Sequence, residues 1–312
     1  MNWDEEVDVV STGSGIAGLA HAVAVVDMGG TVFVADSRGD IEPSGTSVAV
    51  RSRVDRLHWL DADVRDPETN EYFAALSSDL GPLTRSVWDV DLPIRVVDHA
   101  KPVDPRGAVA PFVGARLRDW AARCLVSPYG YLYTRVSNWP STTLRTVDGD
   151  SLEVAEIGSI TPNPANVSGS VLDWLNAQAR DRGIEAHRAT SLQRIVFEEG
   201  DAVGAVFATP DGPLAVRARH GVNVASGGPL GGMAAEQPLP VDGGTLRVGL
   251  VGRTASRFGR IELLTSEQPL TRGAASNCSL VNRQLHANLH ETHSHLQTWR
   301  CGKVNGYPSP GQ

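Results

Sequence analysis

Apolar positions recur in two rhythms along this chain, and the switches between them mark its elements. Val7, Val9 and Val10 form a short apolar strand, and a glycine-rich turn spans Gly13 to Gly18. From Ile16 to Met28 alanine, leucine and valine repeat at helical spacing, until Gly29 and Gly30 stop the run. Thr31 to Ala35 predicts a second strand of β-branched and aromatic residues, with Asp36 at its end.

The same patterning returns further along. Val171 to Arg182 predicts an amphipathic helix with Leu172, Leu175 and Ala179 on one face, capped by Gly183 and followed by a strand from Ile184 to His187. Leu192 to Glu198, Ala202 to Ala208 and Leu214 to Arg219 predict three antiparallel strands joined by "EEGD" and "PDG" turns. Val222 to Ala225 reads as a last buried strand, followed by Ser226, Gly227 and Gly228. Between these two regions, "DPETNEYFAALSSDLG" predicts a helix from about Pro67, with Tyr72, Phe73, Leu76 and Leu80 as its apolar face. Arg116 to Cys124 predicts another helix, and Tyr129, Tyr131 and Tyr133 alternate as on one face of a strand.

Composition narrows the function classes. With 312 residues, 41% of them hydrophobic, the chain can bury a sizeable core. The longest apolar run, Ile16 to Val26, contains His21 and is far short of the roughly 20 residues of a membrane span. Asp4, Glu5, Glu6 and Asp8 make a start unlike a secretory leader, so a cytoplasmic protein is expected. Cys124, Cys278 and Cys301 show no paired spacing and are expected to be reduced thiols. A net charge of −8 argues against a nucleic-acid partner. The only lysines, Lys101 and Lys303, lie in loop-like or tail contexts, which disfavours Schiff-base and P-loop chemistry.

The opening unit is where chemistry concentrates. Gly13-Ser14-Gly15-Ile16-Ala17-Gly18 is a GxGxxG turn between a strand and a helix. In such a turn the first glycine permits the bend, the second lets the backbone approach a pyrophosphate, and the third lets helix and strand pack closely. Asp36 and Ser37 follow the second strand, 23 positions after Gly13 in the case of the acid. There the carboxylate is placed to accept from a ribose diol, which favours an unphosphorylated adenosine ribose. The fingerprint suits either FAD or NAD.

The two patterned regions together resemble the FAD-dependent oxidoreductase 2 family, which includes fumarate reductase and succinate dehydrogenase flavoproteins and 3-ketosteroid dehydrogenases. "ATSLQRIV" resembles the family's adenine-contacting strand, with Leu192 at the contact position. "VASGG", with Ala225, Ser226 and Gly227, resembles the turn that returns beneath the cofactor. "DSRGDIEPSGTSVAV" resembles the segment whose small hydroxyl residues, here Ser44, Thr46 and Ser47, approach phosphates and flavin. The resemblance implies FAD as cofactor and a Rossmann-like α/β domain built from residues 1–55 and 168–272, with an inserted β-meander. Residues 56–167 are then expected to form a small α+β cap over a small-molecule substrate. Two departures stand out: Val50, Arg51 and Ser52 replace a glycine pair of the family, and the family's closing flavin-contacting segment has no counterpart after Gly228.

The implied activity is hydride transfer between flavin and a carbon beside an activating carbonyl, on a steroid-like or dicarboxylate-like substrate. Tyr131, Tyr133 and Arg135 are candidate catalytic residues, set against plain aromatic packing; His58 and His99 are further candidate bases. Residues 273–312 form a histidine-rich arm, in which His286, His290 and His293 share a helical face, a spacing that suits a metal, although the favoured reading is no metal and a helix docked on its own domain, on a partner or on a second copy with its histidines exposed. Two other readings remain open on the sequence: a flavoprotein-derived, non-catalytic subunit acting in assembly, and an NAD-linked dehydrogenase.

Overall fold

A computed structural model describes residues 1–38, 64–80, 92–97, 114–135, 141–145, 151–225, 239 and 244–266. The fold is a mixed β-sheet with helices on both faces. Its opening unit is β1 (Glu5–Thr12), α1 (Ile16–Asp27) and β2 (Val32–Ala35), with β1 and β2 parallel. α1 is small and apolar on every side, and every residue from Ile16 to Val25 is buried. A helix of that composition has to sit between two layers. Here it lies between the sheet and α4 (Val167–Asp181), sharing a core with Val171, Leu175, Leu250 and Ile261. Arg182, at the end of α4, closes the pair by donating to Asp27 of α1 at 2.6 and 3.1 Å.

The second region folds as the spacing predicts, with one change that matters. β8 (Ser191–Glu198) and β9 (Asp201–Thr209) form antiparallel strands, but the expected third strand and the expected last strand are one element, β10 (Gly212–Ala225). Its first half pairs with β9, and its last residues pair with β4 (Gly130–Tyr133), while its other edge lies parallel to β1 along its length. The polar pair His220-Gly221 that reads as a boundary in the sequence is instead a kink. Gly221 has φ +127°, and the β1 register shifts between Val7 and Val9 at the same level.

Residues of the middle segment join this sheet as strands. Its order runs β5 (Thr142–Arg145), β6 (Ser151–Ile160), β11 (Leu246–Gly252), β12 (Phe258–Thr265), β4, β10, β1, β2, β7 (Ala186–His187), with β3 (Ile94–Val96) also on β12. On the face opposite α1, α3 (Gly114–Val126) packs Trp120 and Cys124 against Val154, Val251 and Leu264. α2 (Pro67–Ser77) packs Tyr72, Phe73 and Leu76 against the core of the β8–β9 meander. No helix among the described residues is long and apolar enough to cross a membrane.

The start of α2 illustrates how tightly local and long-range signals are joined. Asp66 is the N-cap, Pro67 opens the helix, and the Asp66 carboxylate accepts from the Thr69 amide at 2.9 Å and the Thr69 hydroxyl at 2.6 Å. The buried Thr69 Oγ1 in turn accepts from the Ile195 amide of β8 at 2.9 Å. Asp66→Ala removes the cap and unseats Thr69, so the expected loss is about 1–2 kcal/mol, read by chemical denaturation.

Candidate functional site

The glycine turn sits where β1, β2 and β10 end together: Thr12 pairs with Ala35 on one side and Val224 on the other. Gly13 has φ +123°, and a side chain there would press on the Ala225 methyl at 3.4 Å. At Gly18 a Cβ would collide with the Gly13 carbonyl, which is how closely helix and turn approach. Gly15 is different. Its backbone is ordinary extended chain, and a Cβ there would meet nothing within 4 Å. The third glycine is therefore needed by the fold, whereas the second leaves open space before the helix.

That space faces the positive end of α1. Gly15 is the N-cap and provides no side-chain cap, and the first turn, Ile16, Ala17 and Gly18, holds no acid to offset the helix dipole. Backbone N–H groups in this setting, beside a bend that brings the chain close, suit the paired phosphates of a dinucleotide. Ser14, between the first two glycines, is buried.

Asp36 ends β2 beside this turn and is also buried. Its backbone is held by the end of β7 and the loop that follows: its amide donates to the His187 carbonyl, and its carbonyl accepts from the Thr190 amide, both at 2.9 Å. Its carboxylate is held by Arg38. The Arg38 amide and Nε donate to Oδ1 at 3.1 and 2.9 Å, and Nη2 donates to Oδ2 at 2.8 Å and to the Ser14 hydroxyl at 2.6 Å. Burial pushes the Asp36 carboxyl up, but hydrogen bonds from Arg38 and Ser14 outweigh it, so the group stays below the usual carboxylate range. Ser37, between them, is exposed.

The candidate residues divide by place. The fingerprint, Asp36 and Ala225 converge at one end of the strands. Leu192 lies within the meander core, opposite Phe207 and in one cluster with Phe33 and Ala35 of β2. Tyr131 pairs with Ala225 and so stands at the fingerprint end. Its ring stacks on His21 of α1 at 5.5 Å, and Tyr133 meets the same imidazole edge-on at 5.1 Å. Burial drives His21 down to about 3, so the ring is neutral, and it raises the phenols of Tyr131 and Tyr133 well above their ordinary value.

Tyr133 and Arg135 are led away from the turn. The Tyr133 hydroxyl donates to the His220 carbonyl at 2.6 Å, and Arg135 reaches the Arg219 carbonyl at 3.3 Å. Arg219 precedes Ala225 by six residues on β10, roughly 20 Å along a strand. Ser44, Thr46, Ser47, Ser226, Gly227, His58, His99, His286, His290 and His293 lie outside the described residues.

Arg38 is the site residue that the motif spacing does not announce. Its signal is local, a basic residue two places after the acid.

No protein-family model matches the chain, and comparison with curated proteins finds no match. Solved structures that resemble it include an open-conformation flavocytochrome c3 fumarate reductase, at 17% identity and TM-score 0.28, with 70% of this chain and 33% of that one covered. Another is 3-ketosteroid-Δ4-(5α)-dehydrogenase from Rhodococcus jostii RHA1 in complex with 4-androstene-3,17-dione, at 21% identity and TM-score 0.29, covering 71% and 46%. A third is the myxobacterial chondrochloren halogenase, a variant of FAD-dependent halogenases, at 16% identity and TM-score 0.26, covering 69% and 36%. The chain thus spans between a third and a half of the length of these structures.

Proposed function

We propose that this chain binds FAD through residues 13–18 and Asp36 and serves as an FAD-dependent oxidoreductase. The observation that supports it most is the combination at one end of β10, β1 and β2. Gly18 packs against Gly13, Gly15 leaves open space before an uncapped helix start, and a buried acid ends the neighbouring strand. Gly15, Ile16, Ala17 and Gly18 would present backbone donors to the diphosphate, and Asp36 would face the adenosine ribose. The choice of flavin over nicotinamide comes from the sequence resemblance across residues 168–228.

FAD, when bound, supplies hydride or electron transfer; the chain supplies its position and the polarisation of the substrate. Of the aromatic candidates, Tyr131 is the one whose backbone lies at the fingerprint end of the strands, through its pairing with Ala225. The substrate class proposed is a carbonyl-activated carbon skeleton.

Purified protein should show flavin absorption in the visible range. Denaturation should release FAD, identified by chromatography, at about one per chain. A colourless protein that also takes up no added FAD overturns the proposal.

A further inference from the structure

Asp36 reads in the sequence as an acid that selects an unmodified ribose, because a carboxylate repels a phosphate placed on the neighbouring 2′-oxygen. The structure changes the charge at that position. Arg38 lies across the carboxylate as a fork, occupying both oxygens, and its amide takes a further acceptor position. An ionised carboxylate offers about four lone-pair sites. With the Ser14 hydroxyl on the same carboxylate all four are committed, so none is left free for a ribose diol with two donors. The Asp36–Arg38 pair is also neutral overall, so the repulsion that defines a ribose-selecting acid is cancelled locally.

The guanidinium has donors left over. Nη1 has no hydrogen-bond partner among the described residues, and the Arg38 side chain is 71% exposed while that of Asp36 is 7% exposed. Through Nη2 the same fork touches Ser14 of the fingerprint, so it lies over the turn and not out along the surface. A planar cation with unused N–H groups beside the ribose acid is the arrangement that accommodates a phosphate oxygen.

We infer that Arg38 is the specificity-determining residue of the nucleotide site, and that it lets the site accept an adenosine whose ribose carries a 2′-phosphate as readily as one that does not. This rests on the reading of residues 13–18 and Asp36 as a dinucleotide cradle. It adds a phosphorylated adenine nucleotide, as cofactor or competitor, to the ligands that cradle takes.

The test is calorimetric titration of the purified full chain with 5′-ADP and with adenosine 2′,5′-bisphosphate, backed by displacement of FAD fluorescence quenching by each. Wild type should bind the two within about threefold of each other. Arg38→Gln should shift the ratio of the two affinities by about tenfold or more against the bisphosphate, the expected size of a lost charge-assisted hydrogen bond. Arg38→Lys keeps the charge without the fork and should fall between them. If Arg38→Gln does not fold, the wild-type ratio together with Arg38→Lys decides. Wild type that rejects the bisphosphate by tenfold while binding FAD and 5′-ADP overturns the inference alone, as does an equal loss of both ligands in Arg38→Gln. Failure of wild type to bind 5′-ADP, the bisphosphate and FAD overturns the cradle itself and the inference with it.

Discussion

Gly15→Asp should make this protein more stable and, in the same step, unable to hold a dinucleotide. The two effects have separate causes. Gly15 is the N-cap of α1, with φ −77° and ψ −175°, a backbone that any L-residue adopts, and its missing side chain faces open space. An aspartate there caps the exposed N–H groups, complements the helix dipole and removes a glycine's unfolded-state entropy, for a gain of about 0.5–1 kcal/mol. The same carboxylate stands where the diphosphate would lie. Like charges about 4 Å apart at a protein surface repel by roughly 4 kcal/mol, so affinity for FAD or 5′-ADP should fall by more than about 100-fold.

The control is Gly18→Ala, a smaller change with the opposite profile. Its methyl would overlap the Gly13 carbonyl, backbone against backbone, in a turn held from below by Ser11 and Asn223. Relief requires moving α1 off β1, at a cost of about 3 kcal/mol or more. Thermal melts and FAD titration of the two variants separate the two roles. If Gly15→Asp binds FAD normally, the open space before α1 is not the phosphate seat.

Legibility in the sequence followed the range of the signal. β1, α1, β2, α2, α4 and the meander are local patterns: runs of one period, bounded by glycine or by a capping residue such as Asp66, and they fold where that pattern places them. α4 begins a turn earlier than its apolar spacing predicts, because Asn166 caps it by accepting from the Gly169 amide. β6, β11 and β12 carry alternation as well, in "SLEVAEIGSI", "LRVGLVG" and "FGRIELLT", yet their glycines and charges blur it, and although β11 and β12 pair locally, β6 meets β11 only across 86 to 99 residues. The continuity of β10 through His220-Gly221 is a tertiary effect, since β1 runs alongside both halves and keeps them in one strand. At the candidate site the fingerprint was readable because its spacing between a strand and a helix is local, with a backbone or steric reason at Gly13 and Gly18. The Arg38 fork needed the turn from β2 to bring residues 14, 36 and 38 together.

Least readable of all was the charge buried beneath α3, and its removal should have the largest effect on stability outside the glycine turn. Glu262 of β12 is fully buried, and its carboxylate is shared by Arg95 of β3, through Nε and through Nη2 at 2.7 Å, and by Arg260 through Nε at 2.6 Å. Arg260 and Arg253 each lie over the Trp120 ring, at 5.4 and 5.5 Å. Glu262→Ala leaves two guanidinium groups facing each other in a largely dehydrated setting, and should cost about 3–5 kcal/mol by urea denaturation.

The pH dependence has a definite sign. Burial pushes the Glu262 carboxyl up, the hydrogen bond from Arg95 and the charges of Arg260 and Arg95 outweigh it, and the net value in the fold lies below the ordinary one. A carboxyl depressed by folding adds stability that is complete above its unfolded value, near 4.3, and disappears as pH falls through the folded one. Wild type should therefore lose stability below about pH 5, and Glu262→Gln should lack that share of the loss while being weaker at pH 7. Replacing all three charges at once, as Arg95→Met, Glu262→Leu and Arg260→Met, removes the desolvation cost together with the attraction. It should return stability to within about 1–2 kcal/mol of wild type. A triple variant as unstable as Glu262→Ala would mean that the fork geometry and the stack on Trp120, not the balance of buried charge, hold α3 on the sheet.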